Sequence, residues 1–346
     1  MIRFNINIVA PNIKSGGGKE LLEYLLEYLE ENYKHIHVTV YLDTSMQHIK
    51  ASSNMKVVFL SNYFKKIQLF CKKLEHALYF GNLPPLRKSY NSIVYFHNPY
   101  LLMNIKKLFS SSVPFFIKYS LQQLYIMNFI KNVNSVACQN KLIKENFINK
   151  YKYNNVEILP FFRLCKKSLD DYHIKKYDFC YVSLAHPHKN HAVLLDAMKI
   201  LSDSGTVSSL AVTIENDKIE LINKINMINS LGVVNIKNLG VIPKSEVCML
   251  YADSKCMVFP SKEETFGLGL IEAVDMKLDV IAADLDYVYQ VISPSMVFNS
   301  DSAKICAKVM QKYITSMKNK KSIGLVHNEI DKLIDKLIRG NNYVQK

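Results

Sequence analysis

Two glutamates eight residues apart, Glu264 and Glu272, stand in the stretch Phe259-Pro-Ser-Lys-Glu-Glu-Thr-Phe-Gly-Leu-Gly-Leu-Ile-Glu-Ala273. Two carboxylates so spaced can both face a single ligand. An apolar run, Cys256 to Phe259, ends at the turn residues Pro260 and Ser261, and an apolar-periodic run opens at about Leu268. The pattern predicts strand, loop and helix, with Glu264 in the loop and Glu272 about one turn inside the helix. In open parallel sheets ligands bind outside the carboxyl ends of strands, where a helix N terminus offers backbone N–H groups and a partial positive charge. Paired acids in a loop also occur as solvated charges, a role that suits Glu263. Glu264, Phe266, Gly267, Leu268 and Glu272 together make a narrower context.

Three further positions have types suited to chemistry. Lys189 lies in the polar loop Ala185-His-Pro-His-Lys-Asn-His191, between a strand and the helix predicted over Ala192 to Leu201. An ammonium there would neutralise a diphosphate leaving with developing negative charge; the alternative is a surface lysine. Its neighbours His186, His188 and His191 have no Cys or carboxylate partners at ligand spacing, so no metal site is expected. Gly16-Gly17-Gly18 follows the first strand and opens the first helix. It is neither a full dinucleotide fingerprint, since Leu21 replaces the third glycine, nor a P-loop. Two roles remain open for it, a close approach of backbone amides to phosphate or sugar and a tight strand-to-helix turn. His97 ends the strand Ile93 to Phe96, a place suited to a ligand and equally to a satisfied polar residue.

The elements that must position these residues alternate along the chain. Strands are predicted at Arg3–Ala10, His37–Leu42, Lys56–Leu60, Ser92–Phe96 and Ser135–Gln139, with helices at Lys19–Tyr33 and Val113–Lys131. A seam runs from Pro160 to Lys176, through the polar segment Lys166 to Asp171. The alternation then restarts, with strands near Asp178–Leu184, Ser209–Ile214, Val233–Lys237, Lys255–Phe259 and Val280–Ala282. Ile323 to Arg339 has apolar residues at helical spacing. Such alternation implies α/β architecture in two doubly wound parallel sheets facing a cleft.

Composition narrows the class. The 346 residues suggest about two domains. Seven scattered cysteines without a C-x-x-C pair point to a reduced compartment and against a disulfide or zinc framework. Met1 to Ala10 alternates polar and apolar residues, as a first strand does and a signal peptide does not. No run approaches the ~18 apolar residues of a membrane span, and a cytoplasmic protein is expected. The formal charge of +14 lies wholly in the first half, where 25 Lys and Arg up to Lys176 stand against 11 Asp and Glu; the remainder has 19 of each. This favours an anionic partner, whether nucleic acid, acidic membrane surface or phosphorylated substrate. A lysine-rich solvated surface is the alternative.

Residues Pro260 to Ala273 resemble the E-x7-E element of the retaining glycosyltransferases of family 4, the group 1 glycosyltransferases. Val182-Ser183 through Lys189-Asn190 and Leu194-Leu195 is similar to that family's phosphate-binding strand, loop and helix. Asn238-Leu-Gly-Val-Ile-Pro-Lys244 resembles its loop beside the nucleotide base, and the triple glycine and Phe96-His97-Asn98 match its first-half loops. The resemblance spans nearly the whole chain, densely after Tyr177 and sparsely before His97. It implies the GT-B fold: an N-terminal Rossmann-like acceptor domain over 1–165, a C-terminal Rossmann-like nucleotide-sugar domain over 166–322, and a helix within 323–346 packing back on the first domain. It further implies that Glu272 holds the donor ribose and Glu264 the transferred sugar. Amides of Phe266, Gly267 and Leu268 meet sugar and diphosphate, Gly240 and Val241 lie by the base, and Lys189 balances the diphosphate. Gly17 and Gly18 approach it, and His97 sits beside the anomeric carbon. An Arg that many members carry before the Lys is absent, leaving either a histidine or Lys189 alone for that charge. The small turn after the second Glu helix is replaced by Met276-Lys-Leu-Asp279.

The expectation is therefore a metal- and cofactor-independent, retaining hexosyltransferase using a UDP- or GDP-linked sugar. Its acceptor would be a polyprenyl-diphosphate-linked glycan of O-antigen, other lipopolysaccharide or capsule synthesis. The basic half would dock on an anionic membrane at the inner face of the plasma membrane, with Tyr63–Phe80 and Val113–Lys131 as interfacial segments or as core helices. Two rivals are a GT-B nucleotide-sugar 2-epimerase and a non-catalytic nucleic-acid-binding protein. No helix-turn-helix, RRM-like or zinc signature accompanies the second, so no nucleic-acid partner is expected.

Overall fold

The computed structural model describes residues 4–14, 16–109, 112–165 and 175–340. Arg3 at the head of the first predicted strand and the segment Lys166 to Asp171 lie outside these. The chain forms two compact units, one of residues 1–163 with 327–346 and the other of residues 164–326.

The first unit runs β1 (Asn5–Ala10), α1 (Gly16–Asn32), β2 (His37–Asp43), β3 (Met55–Leu60), α2 (Tyr63–Phe70), β4 (Ala77–Phe80), β5 (Ile93–Phe96), α3 (Ile105–Phe109), α4 (Val113–Phe129), β6 (Ser135–Cys138), α5 (Lys141–Tyr151) and β7 (Val156–Ile158). All seven strands are parallel, in the order β3-β2-β1-β4-β5-β6-β7. Leu21, Leu22, Leu25, Leu26 and Leu29 form the buried face of α1, as their spacing predicts. The order reverses between β1 and β4, so the loops beyond those two strands part to opposite faces and leave a crevice at the carboxyl edge. One central strand, β4, lies inside the stretch Tyr63–Phe80 for which an interfacial segment or a core helix is expected. In fact α2 ends at Phe70, and Ala77–Phe80 is buried at every position.

The second unit comprises β8 (Tyr177–Tyr181), α6 (His191–Asp203), β9 (Ser208–Val212), α7 (Ile219–Asn229), β10 (Val234–Asn238), α8 (Lys244–Asp253), β11 (Ser254–Phe259), α9 (Leu268–Asp275), β12 (Asp279–Ala283), α10 (Asp286–Tyr289), β13 (Ile292–Ser293), β14 (Met296–Phe298), α11 (Ala303–Thr315) and β15 (Ile323–Gly324). Its parallel sheet has the order β10-β9-β8-β11-β12-β14, and β8 beside β11 is the switch point.

Two expectations are corrected here. The helix is not continuous from Ile323: β15 pairs antiparallel with β13, and α12 begins at Ile330 and ends at Arg339. Ile323 and Leu325, which fit the helical period, are exposed. The returning α12 belongs to the first unit, where Ile330, Leu333, Ile334 and Leu337 are buried. Asp331 there accepts hydrogen bonds from the Tyr28 and Tyr33 phenols, both at 2.9 Å. Second, Cys165 and Cys248 form a disulfide, with Cα atoms 5.7 Å apart. Their separation of 83 residues hides the pairing from any spacing rule. The other five cysteines are free, and burial pushes the thiols of Cys138, Cys180 and Cys306 up to about 12. Among the described residues, no helix is long and apolar enough to cross a membrane.

Candidate active site

In the second unit the loops after β8 and β11 are joined at the switch point. Asn190 adopts a left-handed conformation (φ 59°), which asparagine tolerates better than most side chains. Its amide donates to the carbonyls of Pro260 (3.2 Å) and Ser300 (2.8 Å). The Lys262 N–H and the Ser261 hydroxyl both donate to the His188 carbonyl, at 2.8 and 3.3 Å. The Tyr181 phenol donates to Lys189 O (2.9 Å), and the Tyr287 phenol to Ser261 O (2.7 Å). This framework brings the Lys189 Nζ to 2.5 Å from Glu264 Oε1, with both side chains largely sheltered from solvent. Ammonium and carboxylate thus meet at the carboxyl ends of adjacent central strands.

Gly267, at φ +79°, turns the chain from this loop into α9, and a Cβ built there would lie 3.1 Å from Leu270 Cδ1. Phe266 is buried beside it. Leu268 opens the helix, whose first amides have no acceptor one turn earlier and so present N–H groups at the same end of the sheet. Glu272 is buried one turn further on. Its Oε1 accepts from Lys244 Nζ, and its Oε2 from the Tyr251 phenol at 3.4 Å.

Gly240 and Val241 follow β10. Asn238 joins this strand end to that of β9, accepting from Ile214 N (2.9 Å) and donating to Ile214 O (3.0 Å). Gly240 has φ +68°, and a Cβ on it would lie 3.7 Å from Asn216 Oδ1; Val241 is exposed. Glu215 accepts from Ala185 N at 2.7 Å, joining this corner to the loop of Lys189.

Two histidines near Lys189, His188 and His191, are shifted in the same direction by burial. Burial, followed by the neighbouring Lys189 charge, holds His188 below the ordinary imidazole range. Burial takes His191 to about 4, and both ring nitrogens are enclosed. His191 is thereby neutral near pH 7 and adds no second cation beside Lys189. Among the described residues, no group of three or more His, Cys, Asp and Glu has the arrangement of a metal site.

The first unit assembles Gly16–Gly18 with His97. A Cβ built on Gly18 would lie 3.0 Å from His97 Nε2, so the glycine is needed for the ring to lie against the first turn of α1. Gly16 has φ +69°, and Gly17 is exposed in that same turn. Asn82, beyond β4, accepts from the His97 N–H at 2.7 Å, and the ring stacks on Phe80 at 5.2 Å. Burial lowers the imidazole to about 4, and its Nδ1 is enclosed. His97 is therefore a neutral ring with Nε2 directed at the glycine turn.

Every residue singled out in the sequence lies at a carboxyl strand edge of its own unit. Sequence reasoning passed over Asn82, Glu215 and Tyr251, and named Asn190, Asn238 and Lys244 only as members of matched motifs without a role of their own. Asn190 and Asn238 follow predicted strands, a usable signal, whereas Asn82 follows β4, which the sequence pattern does not predict; the contacts of Lys244 and Tyr251 with Glu272 have no such signal, because they depend on where α8 lies against α9.

Residues 170–323 match the family model described as Glycosyl transferases group 1. Over 250 residues the chain is 23% identical to the O-antigen chain mannosyltransferase RfbU of Salmonella typhimurium, a match that takes in 67% of this chain and 62% of that protein. It thus covers less than two thirds of that relative's length. Among solved structures, the chain is similar to sucrose-phosphate synthase from Thermosynechococcus elongatus (TM-score 0.67, 14% identity, 97% of this chain and 94% of the other). It is likewise similar to WaaG, a glycosyltransferase involved in lipopolysaccharide biosynthesis (0.66, 12%, 98% and 100%), and to HepE of Anabaena in complex with UDP and glucose (0.63, 14%, 97% and 96%). The fold is GT-B. Lys189, Glu264 and Glu272 all lie within residues 170–323, the segment that matches that family model.

Proposed function

We propose that the protein is a retaining glycosyltransferase that moves a hexose from a UDP- or GDP-linked donor to a hydroxyl of a polyprenyl-diphosphate-linked glycan. The product would be a bacterial surface polysaccharide such as O-antigen or capsule. The observation that carries this reading is the Lys189–Glu264 pair at 2.5 Å beside the N terminus of α9. A cation and helix amides at one strand edge suit the charge that develops on a departing nucleoside diphosphate. Glu264 then serves a hydroxyl of the transferred sugar, Glu272 the ribose, and Gly240 and Val241 the base. In the first unit the proposal assigns Gly17 and Gly18 to the diphosphate and His97, as a neutral imidazole, to the neighbourhood of the anomeric carbon. It needs no metal, since Lys189 and the α9 amides supply the positive charge. The matches to RfbU and WaaG support the polysaccharide context; retention, the hexose and the lipid carrier rest on the resemblance alone.

An anionic membrane is the proposed docking partner at the inner face of the plasma membrane. Val113, Ile117, Leu121, Leu124 and Met127 are exposed along one face of α4, with Ile105 and Phe109 on α3 and Tyr63 and Phe64 on α2. Between Asp43 and Glu145 the sole acid is Glu75, against 14 Lys and Arg. An apolar stripe in basic surroundings is the composition of an interfacial helix.

Calorimetric titration with UDP and GDP, followed by transfer from their hexose conjugates to a polyprenyl-diphosphate glycan, tests the reading. Donor turnover without acceptor would favour the epimerase, and salt-sensitive DNA binding without nucleotide affinity the nucleic-acid-binding protein.

A further inference from the structure

Three positions on α8 share one face: Lys244, Cys248 and Tyr251 are spaced i, i+4 and i+7. The outer two hold the two oxygens of Glu272, Lys244 at Oε1 and Tyr251 at Oε2. The middle one is covalently bound to Cys165. The C-terminal end of the helix has anchors of its own, since Lys175 Nζ donates to Ala252 O at 2.7 Å and Lys176 Nζ to Asp253 Oδ2 at 2.8 Å. Its N-terminal end begins at Pro243 without a side-chain cap, and Ser245, Glu246 and Met249 are exposed. The disulfide is thus the covalent fixture of the half that carries Lys244.

We propose that α8 is the positioning element of Glu272, and that the Cys165–Cys248 bond sets how firmly that carboxylate is held, so that nucleotide affinity depends on thiol redox state. This rests on the reading that Glu272 binds the donor ribose. The reductant is a dithiol. One of its sulfurs attacks a cystine sulfur, the Cys165–Cys248 bond breaks, and the reductant leaves as a cyclic disulfide with its two hydrogens transferred to the cysteine thiols.

The test is titration of the 346-residue chain with UDP and GDP, before and after dithiothreitol, with alkylation to confirm that both thiols are free. Reduction is expected to weaken binding about threefold to tenfold, the scale of freeing one ordered side chain. Cys248→Ser should bind like the reduced protein and ignore the reductant. Lys244→Gln should weaken binding about tenfold or more, as for a lost hydrogen bond to a charged group, with Lys244→Arg recovering most of it. In turnover, Lys244→Gln should raise donor KM by more than it lowers kcat, whereas a loss of folded protein lowers kcat alone. Unchanged affinity in wild-type protein whose thiols are shown to be free would overturn the proposal, as would unchanged affinity in Lys244→Gln. The reductant measurement on wild-type protein decides the matter even where Cys248→Ser folds poorly. Glu272→Ala separates the two levels. If it weakens binding while reduction and Lys244→Gln do not, only this inference fails; if it binds like the wild type, the ribose assignment fails and takes the inference with it.

Discussion

Lys189 and Glu264 form an ion pair at 2.5 Å; on the proposed assignment, a diphosphate drawing off the ammonium would also release the carboxylate for a sugar hydroxyl. Lys189→Ala should therefore lower kcat about a hundredfold to a thousandfold, the effect of removing one group aimed at developing charge. Because Glu264 is then left sheltered and unpaired by Lys189, a stability loss of about 1–3 kcal/mol should accompany it, read as a lower denaturant midpoint. A wild-type rate in Lys189→Ala would remove the diphosphate assignment. His97 supplies a pH prediction. Its folded value of about 4 lies below the usual imidazole value of about 6.5. As pH falls below 6.5 the unfolded chain takes up a proton that the folded chain refuses, so the stability contributed by the buried neutral ring is full above 6.5 and is lost progressively down to about 4. Urea midpoints measured from pH 7.5 to 4.5 should fall, and His97→Gln should flatten part of that fall. Since His97 stays neutral across pH 5.5–8, a break in the rate profile near 6.5 that disappears in His97→Gln would show that the ring titrates normally.

At the scale of elements, α9 and α4 carry the two proposed binding functions by different means. The start of α9 depends on Gly267 at φ +79° with Leu270 close above it, so Gly267→Ala should cost about 1 kcal/mol or more of stability and raise donor KM through the displaced amides. On α4 the exposed stripe Val113, Ile117, Leu121, Leu124, Met127 lies opposite the buried Tyr119, Gln123 and Ile126. Leu121→Glu with Leu124→Glu should leave the melting temperature nearly unchanged, because both side chains are exposed, while abolishing co-sedimentation with vesicles containing anionic lipid. Equal sedimentation of the double variant would exclude this face as the docking surface. The period-3.6 pattern showed that α4 is a helix, but the segment is apolar around most of its circumference. Which stripe faces the core was decided by Pro84, whose carbonyl accepts from the Tyr125 phenol at 2.8 Å, and by the Gln123 amide, which donates to Met103 O at 3.0 Å.

Over the whole molecule, the chain closes its first unit with its last helix. α12 buries Ile330, Leu333, Ile334 and Leu337, each contributing about 1.5–3 kcal/mol, and together these approach the net stability of about 5–15 kcal/mol of an ordinary domain. Truncation after Val326 should abolish the cooperative melting of the first unit and leave that of the second. Two intact calorimetric transitions in the truncated chain would contradict the role given to α12. The charge asymmetry also belongs to this scale. Nearly all the excess positive charge sits in the first unit, so vesicle binding should weaken steeply between low and physiological salt, whereas nucleotide binding in the sheltered second-unit site should change less.

The sequence alone determined what depends on near neighbours. Strand, loop and helix around Glu264 and Glu272, the loop of Lys189, the glycine turn and the strand ending at His97 are short-range patterns of period, turn residues and polarity, and such patterns are stated locally. What only the tertiary structure decided are pairings between residues far apart in the chain. Cys165 with Cys248, Lys244 and Tyr251 on Glu272, Lys189 with Glu264, and Asp331 between Tyr28 and Tyr33 each require a particular packing of one element on another. The neutral state of His97 is likewise set by the rings and backbone that enclose it, since burial and not residue type moves its titration. Ile323 shows the limit from the other side: its helical period is satisfied, yet pairing of its backbone with β13 determined its conformation.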